Sequence, residues 1–185
     1  VATRLFRERG VAGASMRDIA DAAGLMLGSL TYRFPTKASL LVAVMRESVA
    51  RAKSEIRVVT DAEENSLRAL RLALRVHMRH LVDPQSGVWL VIHEWGRLPE
   101  DVREELCLLR SDYEDVWREL VVQARSEGLL AEGFDDDLVF RFVFGAANAV
   151  AGWYEPAGSL SPEDIADQYS AFIALGVTSE KARAA

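Results

Sequence analysis

The stretch Ser15-Met-Arg-Asp-Ile-Ala-Asp-Ala-Ala-Gly-Leu-Met-Leu-Gly-Ser-Leu-Thr-Tyr-Arg-Phe-Pro-Thr-Lys37 holds the residue types and spacing that could do chemistry, and that chemistry is the reading of DNA. It fits two short helices around a tight turn. Ser15 can cap the first helix, with Asp18 at the third helical position as the acidic partner of a capping box, and Met16, Ile19 and Ala20 give that helix an apolar face. Gly24 lets the backbone turn left-handed and end it. A second helix of about two turns fits between Leu27 and Phe34, closed by Pro35-Thr36. Helix, glycine turn and short helix make the helix-turn-helix pattern, whose second helix enters the DNA major groove.

Other reactive side chains are scattered. His77 and His80 lie one helical turn apart and His93-Glu94 follows a turn, but a metal site needs three convergent ligands, and a histidine on an apolar helix is ordinarily packed or hydrogen-bonded. Cys107 is the single cysteine, which excludes an internal disulfide and suits a reducing compartment. No basic cluster adjoins it to favour a reactive thiolate. Neither a nucleotide-binding loop nor a hydrolase elbow occurs, so the sequence predicts no enzyme, no cofactor and no metal.

The elements that position the DNA-reading stretch follow from length and pattern. The 185 residues suit one domain or two closely packed ones, and half of them are hydrophobic. No apolar run approaches the ~20 residues that span a bilayer, and no signal peptide opens the chain. The expectation is a cytoplasmic protein with no membrane partner, at the nucleoid when bound to DNA. The chain starts Val1-Ala2-Thr3 directly into helical sequence, which leaves room for an N-terminal arm ahead of it. Charge is uneven: residues 1–60 carry ten Lys and Arg against five acids, a net +5, while the remainder sums to −11 within the chain's −6. A basic head on an acidic body suits nucleic-acid binding, because phosphate neutralisation supplies most non-specific affinity; a solvated surface with chance clustering is the alternative.

Hydrophobic periodicity reads as helix throughout. A first helix with Leu5 and Phe6 inward is expected to stop at Gly10. After the helix-turn-helix, Thr36 caps a long helix running toward Arg57, with Leu40, Leu41, Val44 and Val49 on its packing side. A polar break at 61–65 precedes a helix carrying Leu67, Leu70, Leu74 and Leu81, and Asp83-Pro-Gln-Ser-Gly87 is a turn. A short apolar helix spans 88–95. A long amphipathic one spans 100–127, with Val102, Leu106, Leu109, Tyr113, Val116, Leu120 and Ala124 in register, ended by Gly128.

The last third differs in kind. Between Leu138 and Tyr154 only Arg141 and Asn148 are strongly polar, so that helix is expected to be buried on more than one side. Gly145, Ala149 and Gly152 would let another helix approach closely. A final helix starts at Ser161-Pro-Glu-Asp, a cap with proline at the first position, and carries Ile165, Tyr169 and Phe172. These two helices predict the seam of a homodimer, with Phe142, Gly145, Ala149, Gly152, Ile165, Tyr169 and Phe172 at the interface; a purely intramolecular core is the alternative.

The first 50 or so residues resemble the DNA-binding domain of the TetR family of bacterial transcriptional regulators. The resemblance rests on Leu5-Phe6, Gly10, Asp18-Ile19-Ala20, Ala23-Gly24, Gly28-Ser29-Leu30, Tyr32, Phe34-Pro35, Lys37 and Leu40-Leu41. It implies an all-α fold of about nine helices: an N-terminal three-helix DNA-binding domain with the helix-turn-helix, residues 1–40, and a larger helical ligand-binding and dimerisation domain, residues 41–185. By position it puts Ser29, Thr31, Tyr32 and Arg33 on the exposed side of the recognition helix, with Leu30 and Phe34 holding it. Arg33 would pair with guanine or grip a phosphate, and Thr31 would touch a thymine methyl. Thr36 and Lys37 stand where helix N-termini and lysines bind phosphate, and Arg17 is a further backbone contact. Met26 and Leu27 depart from the small capping residue and the polar or basic residue usual there, and Thr31 from a usual tyrosine. The departure predicts a weaker cap and an unusual operator.

The resemblance also implies a mechanism, in which a homodimer represses transcription at a palindromic double-stranded operator and a small molecule in the larger domain releases it. Aromatic and aliphatic residues nominate the pocket: Trp89, Ile92, Leu106, Leu109, Tyr113, Trp117 and Phe144. The segment Gly152-Trp-Tyr-Glu-Pro-Ala-Gly-Ser-Leu-Ser-Pro-Glu-Asp-Ile-Ala166 resembles the end of regulators of lipid and sterol breakdown that respond to acyl-CoA thioesters. An acyl-CoA effector and a role in lipid metabolism are what that likeness implies. The alternative function is a helical binding or scaffold protein with a degenerate DNA-binding head, which Met26-Leu27 leaves open.

Overall fold

The structure, a computed structural model, describes residues 1–179. Among them are nine α-helices and no strand, so the protein is all-α: α1 (Ala2–Gly13), α2 (Met16–Ala22), α3 (Leu27–Arg33), α4 (Lys37–Thr60), α5 (Ser66–Val82), α6 (Val88–Glu94), α7 (Glu100–Ser126), α8 (Asp136–Trp153) and α9 (Pro162–Gly176). A single 3₁₀ turn at Trp95–Arg97 follows α6, where an unbroken short helix was expected. Leu130 and Thr178 form an isolated antiparallel bridge that hydrophobic periodicity does not reveal.

The helix ends follow local chemistry. At α2 the Ser15 side chain accepts from the Asp18 backbone N–H at 3.1 Å while the Ser15 N–H donates to the Asp18 carboxylate at 3.0 Å, closing the capping box. The Ser15 hydroxyl also donates to that carboxylate at 2.6 Å, and this bond together with the one from the Ser15 N–H holds the Asp18 carboxyl below the usual carboxylate range. The same reciprocal box recurs at α9 between Ser161 and Asp164. Gly24, at φ 67°, makes the turn between α2 and α3 in a region that β-carbons disfavour. Gly10 does not end α1 as expected. Its φ of 70° and ψ of 160° break the helix locally, and the chain resumes helical geometry for one more turn to Gly13.

Packing divides the chain into two compact units, Val1–Arg51 with Asp83–Arg110, and Ala52–Val82 with Ser111 onward. In the first, one apolar cluster joins Leu5 and Phe6 of α1, Ile19 and Ala20 of α2, Leu30 of α3, Leu40, Leu41 and Met45 of α4, Leu90 of α6, and Val102 and Leu106 of α7. Each of these buried side chains larger than alanine contributes about 1.5–3 kcal/mol, enough to fix helices as short as α2 and α3, which would not persist alone. In the second unit α5 packs on both α8 and α9, and those two on each other. Leu74, Met78 and Leu81 of α5, Trp117 of α7, Val143, Ala147 and Val150 of α8, and Ile165 and Ile173 of α9 are buried there. Arg71 and Arg75 each place a guanidinium on Asp167, with Nε contacts of 2.9 and 2.8 Å, and so tie α5 to α9. These hydrogen bonds keep the Asp167 carboxyl well below the usual range.

Within the single chain the apolar α8 is buried along one side. Val139, Phe140, Val143, Ala147 and Val150 face inward, while Leu138, Phe142, Gly145, Ala149, Gly152 and Trp153 stay exposed.

Candidate functional site

The helix-turn-helix presents a short recognition helix by one anchor. Leu30, 6% exposed, ties α3 into the head's core, and the helical spacing then turns Ser29, Tyr32 and Arg33 outward. Tyr32 is 92% exposed, and the Arg33 guanidinium lies 5.9 Å from the ring centroid of Phe34. Met26 stands at the N-cap of α3 with no side-chain cap bond, as its residue type dictates. The Ser29 N–H of the first turn instead donates back to the Met26 carbonyl at 3.0 Å.

The other nominated DNA residues are engaged in ways the spacing did not disclose. The Thr31 hydroxyl donates back to the carbonyls of Leu27 at 3.0 Å and Gly28 at 3.2 Å, so its methyl is the group left to face outward. Lys37 Nζ donates to the carbonyls of Ala12 and Ala14 at 3.2 and 3.1 Å, which pins the start of α4 to the end of α1. Thr36 caps α4: its hydroxyl accepts from the Ser39 N–H at 3.0 Å, and its own N–H donates to the Ser39 hydroxyl. Arg17, in the first turn of α2, is exposed.

The seven nominated pocket residues divide between the two units. Trp89, Ile92, Leu106 and Leu109 belong to the first. Trp89 is half-buried, stacked on His93 at 4.1 Å between ring centroids, with the Arg7 guanidinium 5.2 Å from its own ring centroid. Leu106 is in the core of the first unit, and Trp89 and Leu109 pack against it. Tyr113, Trp117 and Phe144 belong to the second unit, where they meet around His77. His77 lies 5.2 Å from Trp117 edge-on and 5.5 Å from Phe144 between centroids, and Trp117 lies 5.4 Å from Phe144.

His77 is the center of a hydrogen-bond chain. Its Nε2 is 3.0 Å from Asn148 Oδ1, an oxygen that can only accept, so Nε2 carries the proton. Nδ1 then accepts from the Tyr113 hydroxyl at 2.8 Å. Burial holds the imidazole neutral by lowering its pKa to about 4, against the opposing Asn148 hydrogen bond, and burial likewise raises the Tyr113 phenol. Neither His77 nor Asn148 was nominated from sequence, because their partners lie 36 and 71 residues away.

The nominated seam residues are mostly on one open face. Phe142 is 56% and Phe172 60% exposed, Gly145, Ala149 and Gly152 are exposed, and Tyr169 is half-buried with its ring 6.3 Å from Phe172. A notch of about 250 Å³ separates Phe142, Val143 and Ala146 from Tyr169, Phe172 and Ile173. Ile165 differs: at 2% exposure it points into its own chain's core, where the helical repeat carries it away from the Phe172 face.

Comparison with known proteins matches this geometry. Residues 1–44 fit the family model described as bacterial regulatory proteins, tetR family, and residues 63–177 fit the tetracyclin repressor-like C-terminal domain. The HTH-type transcriptional repressor KstR2 of Mycobacterium tuberculosis is 28% identical over 181 residues, which cover 97% of this chain and 90% of that protein. The solved structure of the ketosteroid transcriptional regulator KstR2 of Mycobacterium tuberculosis aligns with a TM-score of 0.83 at 27% identity, covering 97% of this chain and 92% of that one. AibR, solved in complex with isovaleryl coenzyme A and operator DNA, aligns with a TM-score of 0.81 at 25% identity over 92% of each chain. With its helix-turn-helix head and more than half its length matched in the C-terminal model, the chain belongs to the TetR family of bacterial regulatory proteins, which are transcriptional regulators and not enzymes.

Proposed function

We propose that this chain is a ligand-responsive repressor that binds a palindromic operator as a homodimer and is released by a largely apolar effector of the acyl-CoA thioester class. Residues 1–40 read DNA, and residues 41–185 hold the effector and the dimer seam. The observation that carries the reading is the shared core: Leu30, which anchors the recognition helix, lies in one apolar cluster with Leu90 of α6 and Leu106 of α7. A group that displaces α6 or α7 is therefore felt in the packing that holds α3, since close-packed cores pass on small shifts.

In the groove, Ser29, Tyr32 and Arg33 face the bases, with Arg33 suited to a guanine or a phosphate and the Thr31 methyl to thymine. Arg17 and Thr36 meet the backbone. Lys37 adds positive charge there while it braces α1 against α4. The exposed face of Phe142, Gly145, Ala149, Gly152, Tyr169 and Phe172 supports a two-fold seam, in which the same patch meets itself. Two heads so joined would reach half-sites about 34 Å apart.

Two separate apolar groups, each within one unit, are candidate linings for an acyl group: Trp89, Ile92, Leu106 and Leu109 in the first, and Tyr113, Trp117 and Phe144, which meet in the second. The likeness to AibR, solved with isovaleryl coenzyme A, and to KstR2, described as a ketosteroid regulator, supports a thioester effector and a role in lipid metabolism. Any such effector acts by preferring the head arrangement that does not fit DNA.

DNA binding is tested with the region upstream of the protein's own gene, titrated at two salt concentrations. A protected palindrome, with an affinity that falls steeply as salt rises, is expected from Arg and Lys contacts to phosphate. Binding without sequence preference even at low salt would favour a scaffold role instead.

A further inference from the structure

We infer that the groove between α5 and α9 binds an amphiphilic carboxylate, with its acidic head on Arg68 and its hydrocarbon tail along the two helices. Four arginines of α5, Arg68, Arg71, Arg75 and Arg79, recur at three- and four-residue steps and so share one face. α9 answers them with acids. Glu163 lies 4.0 Å from Arg79, and the Asp167 carboxylate takes paired hydrogen bonds from both Arg75 and Arg71. These pairs run antiparallel, since lower numbers on α5 meet higher ones on α9. One more turn back along α5, to Arg68, is therefore one more turn forward along α9, to Ser170 and Ala171. No acid stands there. Among the described residues no carboxylate pairs with the exposed Arg68 guanidinium.

At this missing rung the two helices enclose a groove of about 380 Å³, a size suited to a small molecule. Arg68 and Arg71 border it, and Leu67, Leu70, Ala171, Ile173 and Ala174 make most of the rest apolar. Leu70 and Ile173, 7% and 5% exposed, form its floor. From Asp167 to Ala174 the lining extends roughly 10 Å along α9, which suits a chain of medium length. None of the residues nominated for DNA, effector or dimer seam lines it.

Charge selects the head. The guanidiniums of Arg68, Arg71 and Arg75 outnumber the one Asp167 carboxylate among them, so an anion is attracted and a cation repelled. Arg71 and Arg75 have their forks committed to Asp167, whereas that of Arg68 is open to a carboxylate through two parallel bonds. The Ser170 hydroxyl donates to the Ala166 carbonyl at 2.7 Å and supplies no donor of its own. A plain hydrocarbon would leave Arg68 unmatched, and a bare acid such as acetate would leave the apolar lining wet. An amphiphile meets both.

The test titrates the full chain, carrying ¹³C-methyl alanine, with octanoate, octanol and octylammonium below their micelle concentrations. Ala171→Ser and Ala174→Ser identify the two groove methyl resonances. Octanoate is expected to shift both and to bind there roughly fivefold more tightly than octanol, about the most that one ion pair near a surface contributes, with octylammonium weakest. Arg68→Gln should abolish the preference for octanoate and leave octanol binding unchanged. Ala171→Glu places the missing acid on α9 itself, and should raise the melting temperature and exclude octanoate from the groove. Arg68 and Ala171 are both exposed, so neither change disturbs the core. Unmoved Ala171 and Ala174 resonances, equal affinities for octanoate and octanol, or an undiminished preference in Arg68→Gln overturns the inference. Groove resonances that shift with protein concentration alone would place a second copy there and overturn it as well.

Discussion

Replacing Phe142 with glutamate is expected to dissolve the dimer and to weaken operator binding by two orders of magnitude or more. Phe142 is 56% exposed in the single chain and borders the notch that Tyr169 and Phe172 close on the other side, so the substitution leaves the protomer's own core untouched. In a two-fold seam each copy of the side chain is covered by the partner's patch, and a carboxylate placed there must be buried in an apolar face without a partner. Loss of the dimer turns a two-headed contact into a single one. Linked binding ordinarily gains about 10²–10⁴ over one site, and that gain is what disappears. Light scattering reports the mass, fluorescence anisotropy with operator DNA the affinity, and circular dichroism the unchanged helices. A variant that stays dimeric and binds the operator at full strength would remove the α8–α9 face from the seam.

Arg33→Ala is expected to cost about 1–3 kcal/mol of operator affinity, between several-fold and a hundredfold, and to relax specificity at one base pair in each half-site. The stability of the protein should hardly change. Arg33 is exposed at the last position of α3, and its guanidinium lies 5.9 Å from the Phe34 ring centroid, a contact worth little on an open surface. Lys37 forms the useful contrast. Its ammonium is tied to the Ala12 and Ala14 carbonyls, so Lys37→Ala should loosen the junction of α1 with α4 and lower affinity evenly across sequences. Arg33 alone should show a base preference. Binding to a panel of single-base operator variants separates the two patterns, and an Arg33→Ala protein with unaltered affinity and preference would reject the base contact.

The head was legible in the sequence because its signals are local. Ser15 and Asp18 are three residues apart, Gly24 needs no distant partner to turn left-handed, and the poor cap at Met26 follows from its side chain alone. The fold class and the order of the helices were readable for the same reason. What escaped was set by contacts between residues distant in the chain. The grouping of α6 and the start of α7 with the head depends on Leu90 and Leu106 meeting Leu30 and Phe6, which no periodicity announces. The exposure of α8 on one flank depends on which neighbours are present. Ile165 and Phe172 share an apolar character and a helix, and only packing separates the one that faces the core from the one that faces out.

The aromatic residues illustrate the same limit from the other side. Tyr113, Trp117 and Phe144 stand out by type, and they do come together. His77 and Asn148 carry the polarity of that cluster, yet the sequence does not join them, because they stand 71 residues apart on different helices. Their meaning arises only when α5, α7 and α8 meet and His77 has a partner at each ring nitrogen. Thr31 and Lys37 had their hydrogen-bonding groups committed to nearby carbonyls, a use that residue type permits but does not require.

Control of DNA binding by an effector is tested most directly by titrating operator DNA against the purified protein with a long-chain acyl-CoA, with free CoA and with neither. A ligand that favours the arrangement unable to bind DNA raises the apparent Kd in proportion to its preference, so at saturation the long-chain acyl-CoA should weaken operator binding at least tenfold while free CoA leaves it unchanged. An operator affinity that is the same in all three titrations would contradict an acyl-CoA-released repressor.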